Sequence, residues 1–431
     1  MFYLHPSPHT IETKMLPQGG IKVKRLFALI TAILLILGMA AADEVDLFST
    51  PAPQPQTTPE AAPQLSDSPL LELPPIQLNC AAALLMEAES GQILFEMNAD
   101  SARPVASVTK VMTILLTLEA LEQGRISLEQ PVTISAKAAG MGGSQVLLDV
   151  NETQTVEVLL KSTIVGSAND ACVALAELMY GSQELCVAQM NARAASLGMT
   201  NTVFKNCTGL PVDGQHTTAR DTAIMTAAML RHALYYKFST VWLDEVDHGD
   251  GRRTQLTNTN KLIRLYDGCD GGKTGSTDEA RYCVAATARR GDMRLIAVVL
   301  GAPSGTERFD TAAAMFDYGF ANYRLYPVAK RGTRVKGTLP VDGGRPDSIS
   351  LVLDGDLTLL VSKGGEAGIQ LVPELPERVS APVEAGQEIG HVRVEQDGRV
   401  LARLPVTAAT ASEISGLSSS LLRLLGLWTM R

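Results

Sequence analysis

Ser107 and Lys110 stand three residues apart in PVASVTKVMTILLTLEA, residues 104 to 120. Positions three apart on a helix share a face, so the lysine amine can reach the serine hydroxyl. A serine alcohol is a weak nucleophile until a base takes its proton, and lysine is such a base only when its charged form is disfavoured. Burial or a neighbouring cation does this. The pair therefore encodes acyl transfer if the fold desolvates it, and an ordinary solvated first helical turn if it does not.

Two later polar sets could complete such a site. Ser167-Ala-Asn169 offers a hydroxyl that can relay a proton to a leaving group, and an amide that can hold a substrate carbonyl or orient the lysine. Ser167, Asn169 and Asp170 also suit a helix cap. In Asp270-Gly-Gly-Lys273-Thr-Gly275-Ser276, Lys273 supplies a cation and Thr274 an alcohol for a substrate carboxylate. Gly275 would let a substrate approach the strand backbone. A solvent-facing turn is the plainer alternative, and the full GxxxxGK[ST] phosphate pattern is absent. His216 is a tempting base and Cys172 a tempting nucleophile, but neither has a supported partner; they read as structural organisation and buried packing.

The elements needed to position these residues are legible in outline. AAALLMEAESGQILFEMNADS reads as two strands around a Glu-Ser-Gly turn, followed by the helix of the opening stretch. VEVLLKSTIVGSANDACVALAELM favours helices on both sides of a break at Gly166 to Asn169. Another helix is expected at ELCVAQMNARAASLG, with Leu185, Met190, Ala194 and Leu197 toward the core, and a further one at ARDTAIMTAAMLRHAL. ARYCVAATARRGDMRLIAVVLGA predicts a hairpin and TAAAMFDYGFANY a closing helix. Strands from both ends of this region could then form one antiparallel sheet with the intervening helices packed on it.

After Leu325, KGTLPVDGG, SISLVLD, LTLLVSK, GIQLVPE and IGHVRVE are short strand candidates, which favours a separate small β domain. ISGLSSSLLRLLGLWTMR places Leu417, Leu421, Leu424, Leu425 and Trp428 on a helical stripe suited to a membrane surface. At the other end, KVKRLFALITAILLILGMAAADE has a basic start, an apolar run from Leu26 to Met39 and small residues before Asp43, the order of a secretory signal. An uncleaved anchor is the other reading of that run. Residues 1 to 14 play no part in the pattern, and Met15 would make a more usual start. Residues 49 to 75 are rich in Pro, Ala, Gln and Thr and read as a linker. The expected organisation is a signal segment over 1–42, a linker over 43–75, a catalytic domain over 76–325, a β domain over 326–405, and a linker with terminal helix over 406–431.

The 431 residues carry a formal net charge of -9; losing residues 1 to 42 removes a net +3 and gives -12. Such an acidic chain with 5% aromatics excludes nucleic acid as an expected partner. Six cysteines without a CxxC pair argue against a zinc ribbon and leave disulfide pairing open.

The ordered set SxxK, SxN and KTG is far more specific than any member, and belongs to the serine β-lactamases and penicillin-binding proteins. SGQILFEMNADSARPVASVTKVMT, LLKSTIVGSANDACVALAE, NCTGLPVDGQHTTARD and CDGGKTGSTDEARYC, in this order, closely resemble the low-molecular-mass D-alanyl-D-alanine carboxypeptidases. The resemblance covers residues 78 to 320 strongly and the remainder more loosely. It implies an α+β, β-lactamase/transpeptidase-like domain followed by a small all-β domain. It also implies Ser107 as nucleophile, Lys110 as general base, Ser167 as proton relay with Asn169 on the substrate, and Lys273, Thr274 and Gly275 on the terminal carboxylate. Backbone amides of Ser107 and Ser276 would form the oxyanion hole. The implied reaction removes D-alanine from peptidoglycan pentapeptide stems without metal or cofactor, on the outer face of the membrane or secreted, with β-lactams as inhibitors. His216 falls in the family landmark that reads HTTARD here, His216 to Asp221. Gly272 and Arg281 depart from the residues expected beside the third motif, which bears on substrate preference. Two other functions share the pattern: a serine β-lactamase, for which no deacylating glutamate is evident, and a weakly catalytic wall-binding morphogenetic protein.

Overall fold

The strand Ala82–Glu87 (β1) is buried along its whole length, so both faces of the sheet it joins must be covered. The computed structural model describes residues 44–45, 76–249, 251–396 and 398–416. The expected signal segment, the whole of the Pro-rich stretch at 49–75 and the terminal amphipathic stripe at 417–431 lie outside the described residues.

Four strands join β1: Ile93–Met97 (β2), Cys269–Thr277 (β3), Arg281–Arg290 (β4) and Met293–Ala302 (β5). They form one antiparallel sheet in the order β2-β1-β5-β4-β3, which joins the early hairpin to the late one as the sequence suggests. Period-two alternation divides their side chains between two cores. Leu84, Met86, Ile296, Val298 and Leu300 enter the larger core, whereas Leu85, Leu295, Ala297 and Val299 enter the other. The helix Glu307–Asn322 contributes Phe309, Met315 and Phe316 to the second core.

The larger core surrounds Lys110–Glu122 (α1), with Asn169–Tyr180 (α2), Gln183–Ser196 (α3) and Ala219–Leu230 (α4) also contributing to it. Apolar residues cover α1 on most sides: Val111, Met112, Ile114, Leu115 and Leu118 are each at most 1% exposed. Complete burial of side chains of this size contributes about 1.5–3 kcal/mol each. That sum is what allows the fold to hold a lysine inside at the start of the same helix. In α3, Met190 and Ala194 are buried as expected, but Leu185 is 58% exposed and the core position falls to Cys186. The apolar stripe keeps the expected register from Met190 onward, and only its first position moves by one residue.

By contacts the chain forms two units. The first takes residues 76–328 together with 357–369, and the second takes 329–356 and residues from 370 onward, with Glu44–Val45. In the second unit, Arg334–Asp342, Ser348–Leu353, Arg399–Ala408 and Glu388–Gln396 are successive antiparallel neighbours in a seven-stranded sheet. Ile349, Leu351 and Leu353 alternate inward. Three expectations change here. Glu44–Val45, expected in the linker, adds a short parallel strand beside Arg334–Asp342. Leu357–Ser362 pairs instead with Tyr323–Ala329, a strand that crosses the expected boundary at 325/326. Arg399–Ala408 also continues past 405, where the terminal linker was expected to begin. Among the described residues, no helix is long and apolar enough to cross a membrane.

Candidate active site

The chain enters α1 through a tight turn. Ala106 has φ 48°, a left-handed conformation that an alanine rarely adopts, and Ala106–Thr109 form a single 3-10 turn before Lys110. Such strain persists only where surrounding structure enforces it. Two glycines do so. A Cβ on Gly275 of β3 would lie 2.4 Å from the Val105 carbonyl oxygen and 2.8 Å from the Ser107 nitrogen; one on Gly209 would lie 1.9 Å from the Ala106 oxygen. Both backbones are thus pressed against the turn that presents Ser107.

Lys110 Nζ donates to Ser107 Oγ at 2.9 Å and to the Thr208 carbonyl at 2.8 Å. The lysine is 0% exposed. Burial pushes its ammonium down to about 8, against Cys172, Cys207 and Asp170, which raise it. A base whose neutral form is accessible near neutral pH is the state the sequence pair alone could not establish.

Ser167 closes a π-type turn, Ser162–Gly166, and itself adopts the left-handed conformation at φ 61°. This turns its hydroxyl toward β3, where Lys273 Nζ donates to it at 2.8 Å and to the Thr274 carbonyl at 3.0 Å. Burial, and then the positive charges of Lys110 and Arg308, hold Lys273 well below the usual lysine value. Thr274 is buried on the same strand, whereas Ser276 is exposed just beyond Gly275.

Asn169 begins α2. Its Nδ2 donates to the Gly142 carbonyl at 2.6 Å, a bond that fixes the amide orientation, and leaves buried Oδ1 without a partner. The free atom is an acceptor, so it suits a substrate N–H better than the substrate carbonyl considered from sequence. Nor is Asn169 bonded to the lysine; the Thr208 carbonyl takes that place. Asp170, a possible cap, instead accepts the Val146, Leu148 and Ala171 amides and pins the 142–148 segment beside the site.

Ser107, Lys110, Ser167 and Lys273 are therefore joined into two hydrogen-bonded pairs, with Asn169, Thr274 and Gly275 on the same elements. His216 stays apart: its Nδ1 meets the Gly214 carbonyl and its backbone pairs with Val203. Cys172 is buried with its thiol donating to the Cys207 carbonyl, and all six cysteines are free. The departure at Gly272 has a local cause. Its φ is 129°, and a Cβ would stand 2.4 Å from the Ala285 oxygen, while Tyr235 Oη accepts its amide. Sequence reasoning missed Thr208 and Arg308. Arg308 donates to the Gly275 and Cys283 carbonyls behind β3 and packs over Phe309. The NCTGL landmark was a signal for the first; a lone arginine 33 positions beyond Gly275 gave none for the second.

Residues 70–304 match the family model described as D-alanyl-D-alanine carboxypeptidase, and residues 323–413 the one described as penicillin-binding protein 5, C-terminal domain. The chain is 39% identical over 349 residues to D-alanyl-D-alanine carboxypeptidase DacF of Bacillus subtilis, covering 81% of this chain and 90% of that protein. Penicillin-binding protein 5 from Haemophilus influenzae gives a TM-score of 0.68 at 31% identity, over 79% of this chain and 99% of that one. Penicillin-binding protein D2 from Listeria monocytogenes, solved in its ampicillin-bound form, gives 0.51 at 31% identity, over 57% and 100%. The expected α+β, transpeptidase-like architecture is the one the two solved structures share, and the trailing β domain is the region that matches the penicillin-binding protein 5 C-terminal model.

Proposed function

This chain belongs to the D-alanyl-D-alanine carboxypeptidase family of serine peptidases, and on that premise we propose that it removes the terminal D-alanine of peptidoglycan pentapeptide stems through an acyl-enzyme on Ser107. Neutral Lys110 takes the hydroxyl proton as Oγ attacks the penultimate D-alanyl carbonyl. Amides of Ser107 and Ser276 receive the developing oxyanion, and Lys273 with Thr274 receives the terminal carboxylate. Ser167, on Lys273, relays to the departing D-alanine nitrogen the proton that Lys110 took from Ser107, which returns Lys110 to its neutral form. Asn169 Oδ1 accepts an N–H of the stem. Water, deprotonated in turn by the same base, then hydrolyses the ester. A β-lactam, whose ring amide stands in for the D-alanyl bond, follows the first half of this path and stays as an ester.

The observation that carries this reading is the buried Lys110 amine, 2.9 Å from Ser107 Oγ. Export to the outer face of the membrane, with residues 417–431 as a peripheral anchor, follows from the peptidoglycan substrate and the sequence patterns at both ends. The mature protein incubated with a D-alanyl-D-alanine-terminated pentapeptide is expected to release one D-alanine, and Ser107→Ala, still folded, to release none. Failure of the active protein to release D-alanine overturns the proposal; rapid β-lactam turnover without an adduct favours a lactamase.

A further inference from the structure

The NCTGL stretch has no part in the three polar motifs, yet it touches the elements that carry the first two of them. The Thr208 carbonyl accepts from Lys110 Nζ. The Cys207 carbonyl accepts from Thr113 Oγ1, one turn along α1 from Lys110, at 2.9 Å, and from Cys172 Sγ, one turn along α2 from Asn169, at 3.2 Å. Gly209, at φ +84°, lies directly under the Ala106 carbonyl. Two consecutive carbonyls and a glycine thus bring α1, α2 and the nucleophile turn to one short loop.

Asn206 shapes that loop. Its Oδ1 accepts the Gly209 amide at 2.7 Å, the Thr208 amide at 3.2 Å and Thr208 Oγ1 at 3.3 Å, while its Nδ2 donates to the Leu210 carbonyl at 2.8 Å. Gln215 Oε1 in turn accepts the Asn206 amide at 3.0 Å. One side chain therefore fixes the peptide groups on both sides of Thr208, and with them the direction of the Thr208 carbonyl.

That direction matters for the base. A neutral lysine amine has two hydrogens and one lone pair, and proton abstraction requires the lone pair to face Ser107 Oγ. A carbonyl oxygen accepts an N–H and offers no proton. With one hydrogen held on Thr208, the lone pair is free to point to the serine; once protonated, the ammonium keeps the same acceptor. We infer that Asn206 is a positioning residue for Lys110, acting through the Thr208 carbonyl so that the loop Asn206–Leu210 is a fourth element of the acylation machinery. This rests on the role assigned to Lys110 above.

Acylation of the full chain by a fluorescent penicillin, followed against concentration and pH, tests the inference. The charged or titratable groups facing Lys110 are Cys172 and Asp170 on α2, Cys207 on the loop and Lys273 on β3, and all are retained in the variants. Asn206→Ala is expected to lower the limiting acylation rate by about 10- to 100-fold, the scale of a misplaced catalytic group. Its non-covalent binding constant should stay near the wild-type value. Loss of the carbonyl acceptor disfavours the ammonium, so the acid limb should move to lower pH. Asn206→Asp keeps an acceptor for the Thr208 and Gly209 amides and adds negative charge; it should recover part of the rate and move the limb to higher pH. Thermal melting verifies the fold, and if the alanine variant does not fold, the direction of the aspartate limb decides. Unchanged rate and limb in Asn206→Ala, a loss confined to binding, or limbs shifted the same way in both variants overturns the inference. A wild-type protein that forms no adduct instead overturns the function proposed above.

Discussion

The site holds two serine–lysine pairs of nearly equal length, Lys110 with Ser107 at 2.9 Å and Lys273 with Ser167 at 2.8 Å, and they are built differently. Lys110 reaches a serine three residues away and takes its second acceptor from the distant Thr208 carbonyl. Lys273 reaches a serine on another element and takes its second acceptor from its own neighbour, Thr274. Their surroundings also oppose each other. Cys172, Cys207 and Asp170 raise the proton affinity of Lys110, whereas Lys110 and Arg308 lower that of Lys273. The difference suits one amine to exchange a proton with Ser107 and the other to welcome an anion. An anion beside Lys273 would offset the positive charges of Lys110 and Arg308.

Substitutions at the two lysines should therefore fail in different ways. Lys110→Met removes the base and is expected to lower the limiting acylation rate by about 1,000-fold, within the usual range for such a group, with substrate binding preserved. Stopped-flow acylation would show the split, and a comparable loss confined to KM would break the contrast. Gly275→Ala strikes the first pair from the strand that carries the second, because the new methyl group meets the Val105 oxygen and the Ser107 amide. About a 100-fold loss in kcat/KM for D-alanine release is expected from the displaced nucleophile, larger than any accompanying change in melting temperature would explain. Lys273→Ala should act mainly on KM for carboxylate-terminated peptides, by about 10- to 100-fold, and less on an esterified peptide that lacks the charge. Equal losses on both substrates would contradict the anion-receiving role.

The smallest catalytic effect is expected from Asp170→Asn. The carboxylate accepts three backbone amides while buried, so its loss should cost about 1–3 kcal/mol of stability by calorimetry. It also removes one of the groups that raise Lys110, and the acid limb of acylation should move to lower pH.

The same contrast explains what could be read in the amino acids. Ser107 and Lys110 were legible because their relation is local, and Gly275 because a glycine before Ser276 in a strand already signals close backbone approach. Thr208 was marked only by the NCTGL landmark and its role was not: it serves through a carbonyl that every residue possesses, and only the fold selects which carbonyl is used. Gly209 and Arg308 act across distances that no periodicity records. In the second unit, RVLARLPVTA escaped notice because its apolar residues do not alternate cleanly and Pro405 argues against a strand with neighbours on both sides. The ladder tolerates the proline by using its carbonyl, which accepts the Asp354 amide at 2.8 Å. The exposed Leu185 has the opposite origin: a helical stripe can be placed from sequence to within one residue, and here one residue moves a leucine into solvent.

The most direct test of the central claim is the pH dependence of β-lactam acylation of the wild-type protein, with the adduct located by peptide mass mapping. The buried amine predicts a single adduct on Ser107, formed at a rate that rises with pH through about 8 as Lys110 loses its proton and then levels off. An adduct on another residue, or a rate that is flat through that range, would contradict the assignment of Lys110 as the base that activates Ser107.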